Sequence, residues 1–150
     1  MPQSLASLLV HIIFSTKNRT DLIAPEIETQ LYSYIGGILT NNKSRLIAAN
    51  GTTNHIHLLV SLSKTIALSE IIGDVKRDSS KWVKTQGAKF GDFHWQDGYG
   101  AFSLGQSQVP AVKRYIMGQK EKHQALSFED EFRSFLRKYE IEFDERYVWD

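Results

Sequence analysis

Apolar positions along the chain change period several times, and each change predicts an element. Residues 8–15 form a near-continuous apolar run suited to a buried strand, interrupted by His11 and followed by the basic turn Thr16-Lys17-Asn18-Arg19. From Pro25, the residues Ile27, Leu31, Tyr34, Ile35 and Ile38 recur at helical spacing. Glu26 and Glu28 fall in the first turn of that helix, where the dipole favours negative charge. Residues 45–49 and 55–62 read as two antiparallel strands joined across Asn50-Gly51, with a loop longer than two residues.

A second helix is predicted over 66–84, with Leu68, Ile71, Ile72, Val75 and Trp82 on one face and a basic polar side. The aromatic stretch 93–102 has little helical period and holds the next strand, with a turn at Gly98-Tyr99-Gly100. Ser107 as N-cap and Pro110 in the first turn open a third helix that runs to about His123. A capping box at Ser127 opens a fourth, with Phe128, Phe132, Phe135, Leu136 and Tyr139 as its buried stripe. The order strand, helix, two strands, helix, strand predicts an α+β fold. It is that of a ferredoxin-like antiparallel sheet with helices on one face, extended by a tyrosine-bearing helix and a C-terminal helix.

Composition narrows the chemistry. At 150 residues and 41% apolar, the chain fits a single domain spanning 1–150. With no cysteine, disulfides, thiolate metal sites and cysteine nucleophiles are excluded, and a reducing cytoplasm is the expected compartment. The apolar run at 8–14 is too short to span a bilayer, so no membrane association is expected. A formal charge of +1 points away from a polyanionic partner until it is divided. Residues 1–124 hold 14 Lys or Arg against 9 Asp or Glu, whereas 125–150 hold 4 against 8. A basic body therefore precedes an acidic end, read either as solvated or as a restraint on access to nucleic acid.

The most informative stretch is Asn54-His55-Ile56-His57-Leu58-Leu59-Val60-Ser61-Leu62. In a strand, Ile56, Leu58, Val60 and Leu62 share one apolar face and His55, His57, Leu59 and Ser61 the other. The two imidazoles then lie about 7 Å apart at Cα on one side. They either converge on one divalent cation or are two polar residues of a solvated sheet face. Tyr115 and Gln119, four apart on the third helix, bring a phenol and an amide to one face. Alone they are a core-edge tyrosine and a surface amide.

Together, His55-Ile56-His57 within NHIHLLVSL, the segment WQDGYGAFSLGQS, and YIMGQKEKH resemble the single-tyrosine HUH transposases of bacterial insertion sequences, including REP-associated transposases. The resemblance implies His55 and His57 as metal ligands, Tyr115 as nucleophile and Gln119 as a third ligand through its side-chain oxygen. Members often carry two adjacent histidines a few residues after that glutamine. Lys122-His123 stands there instead, which leaves the role of His123 open.

The implied reaction is metal-dependent cleavage and rejoining of single-stranded DNA through a 5′-phosphotyrosine, with Mg²⁺ or Mn²⁺ polarising the phosphate. The implied partners are DNA hairpins and a second copy of the chain, in a homodimer whose active sites are shared. No nucleotide cofactor is needed, in keeping with the lack of a Walker-type phosphate loop. By charge and position, Lys17, Arg19, Lys76, Arg77 and Lys81 are candidate DNA contacts, and Trp82, Phe93 and Trp95 candidate base-stacking residues, Trp82 being the better suited to the core. Two other readings stand beside this one: a ferredoxin-like nucleic-acid-binding module without catalysis, and a metal-dependent phosphoesterase with a water nucleophile.

Overall fold

The computed structural model describes residues 2–150. Four strands, β1 (Leu9–Ser15), β2 (Arg45–Gly51), β3 (His55–Ser61) and β4 (Gly100–Leu104), form one sheet in the order β2-β3-β1-β4. Every neighbouring pair is antiparallel. Helices α1 (Pro25–Asn41) and α2 (Leu68–Lys84) supply the crossovers. The ferredoxin-like order read from the sequence is thus present, and β1 and β3, the two most buried strands, take its centre.

The face formed by Ile12, Phe14, Ile56, Leu58 and Val60 packs against Leu31, Ile35 and Leu39 of α1 and Ile71, Ile72 and Val75 of α2. Phe93 and Trp95 belong to this core rather than to an exposed stacking surface. Both rings stand edge-on to a neighbour in the Phe14–Trp95–Phe93 cluster, with centroids 4.9 and 4.8 Å apart, and the Trp95 indole N–H donates to Ser79 Oγ at 3.0 Å. A buried tryptophan needs such a partner for its one donor. Trp82 lies at the core edge, stacked on Tyr34.

The opposite face is covered as well, by helices C-terminal to β4. After a single 3₁₀ turn come α3 (Val109–Met117), the one-turn α4 (Gln119–Lys122) and α5 (Phe128–Lys138). Phe128, Phe132 and Leu136 of α5 cluster with Ile13 and Phe102 of the sheet. At roughly 1.5–3 kcal/mol for each large apolar side chain, this stripe is a substantial second core. Phe135 is only half-buried and Tyr139 is exposed, so the stripe is narrower than the sequence suggests. Ser127 caps α5 as expected, its hydroxyl accepting from the Asp130 N–H.

Three local expectations are corrected. Asn50 and Gly51 lie inside β2, and the hairpin loop is Thr52, Thr53 and Asn54. Gly51 is needed for close approach rather than for a turn, because a Cβ there would sit 2.2 Å from the His55 carbonyl oxygen. Ser107 does not cap α3. It lies within the 3₁₀ turn, and the helix starts at Val109 after Gln108. The third helix also stops at Gly118, so Tyr115 and Gln119 belong to consecutive helices. At Gly100 a Cβ would meet the Phe132 ring at 2.5 Å, so β4 and α5 touch through a missing side chain.

Candidate active site

His55 and His57 project from the face of β3 that α5 covers, and neither has any exposed surface. The reading of that face as solvated is overturned, because α5 closes over it. Gly118 ends α3 without breaking its path, with its N–H bonded to the carbonyls of Arg114 and Tyr115, so Tyr115 and Gln119 still approach the same point. Asn50 anchors this segment to the sheet, its amide donating to the carbonyls of Ile116 and Met117 at 3.0 and 3.1 Å.

The four residues singled out for chemistry are brought together. His55 Nε2 lies 3.1 Å from Gln119 Oε1, and the Tyr115 ring stands edge-on to His57 at 5.9 Å between centroids. Between them sits Glu131 of α5. Its Oε1 is 3.0 Å from His57 Nε2, 3.0 Å from His123 Nε2 and 3.6 Å from His55 Nε2. Its Oε2 accepts from the Gln119 amide at 3.0 Å and from the Tyr115 hydroxyl. His11 of β1 stands behind, with its Nε2 2.7 Å from His57 Nδ1.

Burial dominates the electrostatics. It pushes His11 and His55 down to about 3, with the neighbouring His57 adding to the effect, and it lowers His57 in the same direction. These rings are neutral near pH 7. Burial also raises the Tyr115 phenol above its usual range, and the bond to Glu131 raises it further. For Glu131 burial opposes ionisation, yet hydrogen bonds from His123 and His57 outweigh it and hold the carboxyl well below the usual carboxylate range. The carboxylate is the fixed negative charge of the site.

His55, His57, His123 and Glu131 each offer one ligand atom, all within 4.8 Å of one another, and three are fully buried. Three imidazole nitrogens and a carboxylate oxygen form a donor set able to hold a divalent cation. Sequence reasoning missed Glu131 and His11, and it left His123 open. A signal for Glu131 did exist, since helical spacing puts position 131 on the same face as Phe128 and Phe135.

A family profile described as "Transposase IS200 like" matches residues 4–119. The chain belongs to the IS200-like transposases. As a member of that family it is a DNA transposase, a DNA-cleaving enzyme. Two solved structures are similar in fold. One is described as a transposase from Deinococcus radiodurans R1, with TM-score 0.61, 20% identity, and coverage of 79% of this chain and 98% of that one. The other is a REP-associated tyrosine transposase bound to a REP hairpin, with TM-score 0.61, 13% identity, and coverage of 84% of this chain and 76% of that one. No curated protein matches the sequence. Among the described residues of the transposase, no helix is long and apolar enough to cross a membrane.

The candidate DNA contacts divide. Lys17 and Lys81 are exposed. Arg77 is paired with Asp74 at 2.9 Å and Asp78 at 3.0 Å. Lys76 donates to the carbonyls of Gln96, Asp97 and Gly98 and lies over the rings of Phe14 and Tyr99, which makes it a strut between α2 and the segment before β4. Arg19 donates to the Trp149 carbonyl at 2.9 Å, so the C-terminal segment lies against it. Two clefts flank the centre. One of about 380 Å³ opens beside Tyr115 and is lined also by Lys122 and Lys138. The other, of about 430 Å³, is lined by Asn54, Lys120 and His123.

Proposed function

We propose that this transposase cleaves and rejoins single-stranded DNA through Tyr115, with the divalent cation held by His55, His57 and Gln119. The observation that carries the reading is the convergence of these four side chains on one buried point beside the cleft that holds Tyr115. A binding module without catalysis has no use for such a cluster. The phenol and the cleft next to it favour a protein nucleophile over water.

In the cleavage step the Tyr115 oxygen bonds to phosphorus as the P–O3′ bond breaks, giving a 5′-phosphotyrosine and a 3′-hydroxyl. The phenol gives up one proton and the departing oxygen takes one up. Attack by another 3′-hydroxyl reverses the sequence, so the bond energy is kept. The cation, Mg²⁺ or Mn²⁺, supplies polarisation of the scissile phosphate when bound. Lys122, whose ammonium lies 4.9 Å from the centre of the Tyr115 ring, adds positive charge where DNA would enter.

Hairpin DNA is the proposed substrate, supported by the REP hairpin in the similar structure and by exposed Lys17 and Lys81. The Tyr115 hydroxyl bonds to Glu131 of its own chain, which supports a site completed in cis. A homodimer with shared sites is the second arrangement, implied by the resemblance. The test is a denaturing gel after incubation with labelled single-stranded hairpins and Mn²⁺. A covalent protein–DNA band is expected, and Tyr115→Phe should remove it while hairpin binding persists. Cut DNA without the band would instead support hydrolysis by water, and intact DNA that is still bound would support a binding module.

A further inference from the structure

Two residues at the centre of the site, His123 and Glu131, lie beyond the stretch 4–119 that matches the family. His123 Nδ1 faces the Leu126 carbonyl oxygen, and His55 Nδ1 faces Asn54 Oδ1 at 2.9 Å. Carbonyl and amide oxygens only accept, so at both contacts Nδ1 is the donor. The Nε2 atoms of both rings then face inward. His55 Nε2 lies 3.1 Å from Gln119 Oε1, and His123 Nε2 lies 3.0 Å from Glu131 Oε1, so each ring turns a nitrogen toward the same point.

Metal-ligating histidines show the same outer pattern, with the far ring nitrogen donating to a carbonyl or carboxylate. The spacing agrees as well, since neighbouring ligands on an ion with bonds of about 2.1 Å stand about 3.0 Å apart when octahedral. Glu131 Oε1 is 3.0, 3.0 and 3.6 Å from the Nε2 atoms of His57, His123 and His55.

We propose that His123 and Glu131 are ligands of the same divalent cation as His55 and His57, so that the C-terminal helix α5 completes the metal centre. This rests on the reading of His55 and His57 as ligands and extends it to a segment outside the family stretch. The two carboxylate oxygens divide their work: Oε1 faces the imidazoles, while Oε2 holds the Tyr115 hydroxyl and the Gln119 amide. Three nitrogens and an anionic oxygen favour Mn²⁺, Co²⁺ or Zn²⁺ over Mg²⁺.

The full chain, stripped with a chelator, is titrated with Co²⁺ and followed by visible absorption, with no DNA present. Wild type should bind one equivalent. Glu131→Gln and His123→Ala should each weaken binding at least tenfold and shift the visible bands, a change that loss of a purely structural contact would not produce. Unchanged affinity and bands in both variants, with binding abolished by His55→Ala, would overturn the proposal and leave the His55/His57 reading standing. Binding unaffected by His55→Ala would overturn both. Should the variants fail to fold, hydrogen exchange on wild type decides: Co²⁺ should slow exchange across 128–138, and equal rates with and without it would overturn the proposal.

Discussion

His55 and His57 share one side of the sheet because β3 alternates. The same strand that buries Ile56, Leu58 and Val60 against α1 and α2 turns both imidazoles to the other side, where α5 seals them from water. Desolvation there has a measurable consequence in the metal-free chain. His11 and His55 sit at about 3 when folded and return to about 6.5 when unfolded, so between those values the unfolded chain binds more protons. Stability should therefore fall as pH drops below about 6.5. Urea midpoints at pH 5 should lie below those at pH 7.5, and equal midpoints would show that the rings are not buried as neutral species. Lys76 carries a different kind of prediction. Lys76→Met leaves three backbone carbonyls without their donor and should cost about 1–3 kcal/mol in urea titration, with little change in hairpin affinity. A large loss of affinity with stability intact would make Lys76 a DNA contact after all.

Among the elements, α5 combines a scaffold with a site. Its Phe128, Phe132 and Leu136 give the sheet its second core and thereby set Glu131 against the imidazoles. Phe132→Ala should cost about 3–5 kcal/mol in urea and weaken metal binding along with it, whereas a stable variant with normal metal affinity would separate the two roles. The sheet order was legible because the helices carry a clean period and the strand segments break it, and the pair His55-x-His57 because the strand period puts both on one face. The break at Gly118 was not, since Gly118 keeps the hydrogen-bond path of a helix and Tyr115 and Gln119 keep their four-residue spacing across it. Glu131 stayed hidden for another reason. A carboxylate in the first turn after a Ser N-cap is what the helix dipole favours anyway, so its type gave no hint of a buried partner.

For the molecule as a whole, charge and position now agree in part. The acidic end is tied down: Arg19 donates to the Trp149 carbonyl, and the Gly98 N–H and Gln96 amide donate to the Asp150 carbonyl, at 2.8 and 3.3 Å. That segment lies against one of the candidate DNA contacts rather than hanging free. The basic body, by contrast, leaves Lys17 and Lys81 open. Whether one chain suffices for cleavage can be decided by mixing. Tyr115→Phe chains combined with His55→Ala/His57→Ala chains should give no covalent DNA band if each site is completed in cis, and a restored band would establish sharing between subunits.

The contact between Gly100 and Phe132 has a consequence for comparing relatives. A side chain at position 100 and a phenyl ring at 132 exclude each other, so the two positions should vary together. A relative that keeps the two histidines and the tyrosine but ends soon after position 119 has no helix to collide with, and its residue at 100 has only the Phe102 ring to clear, at 3.0 Å. Covariation between these distant columns would thus sort family members into those that close the sheet with their own C-terminus and those that must cover it by other means.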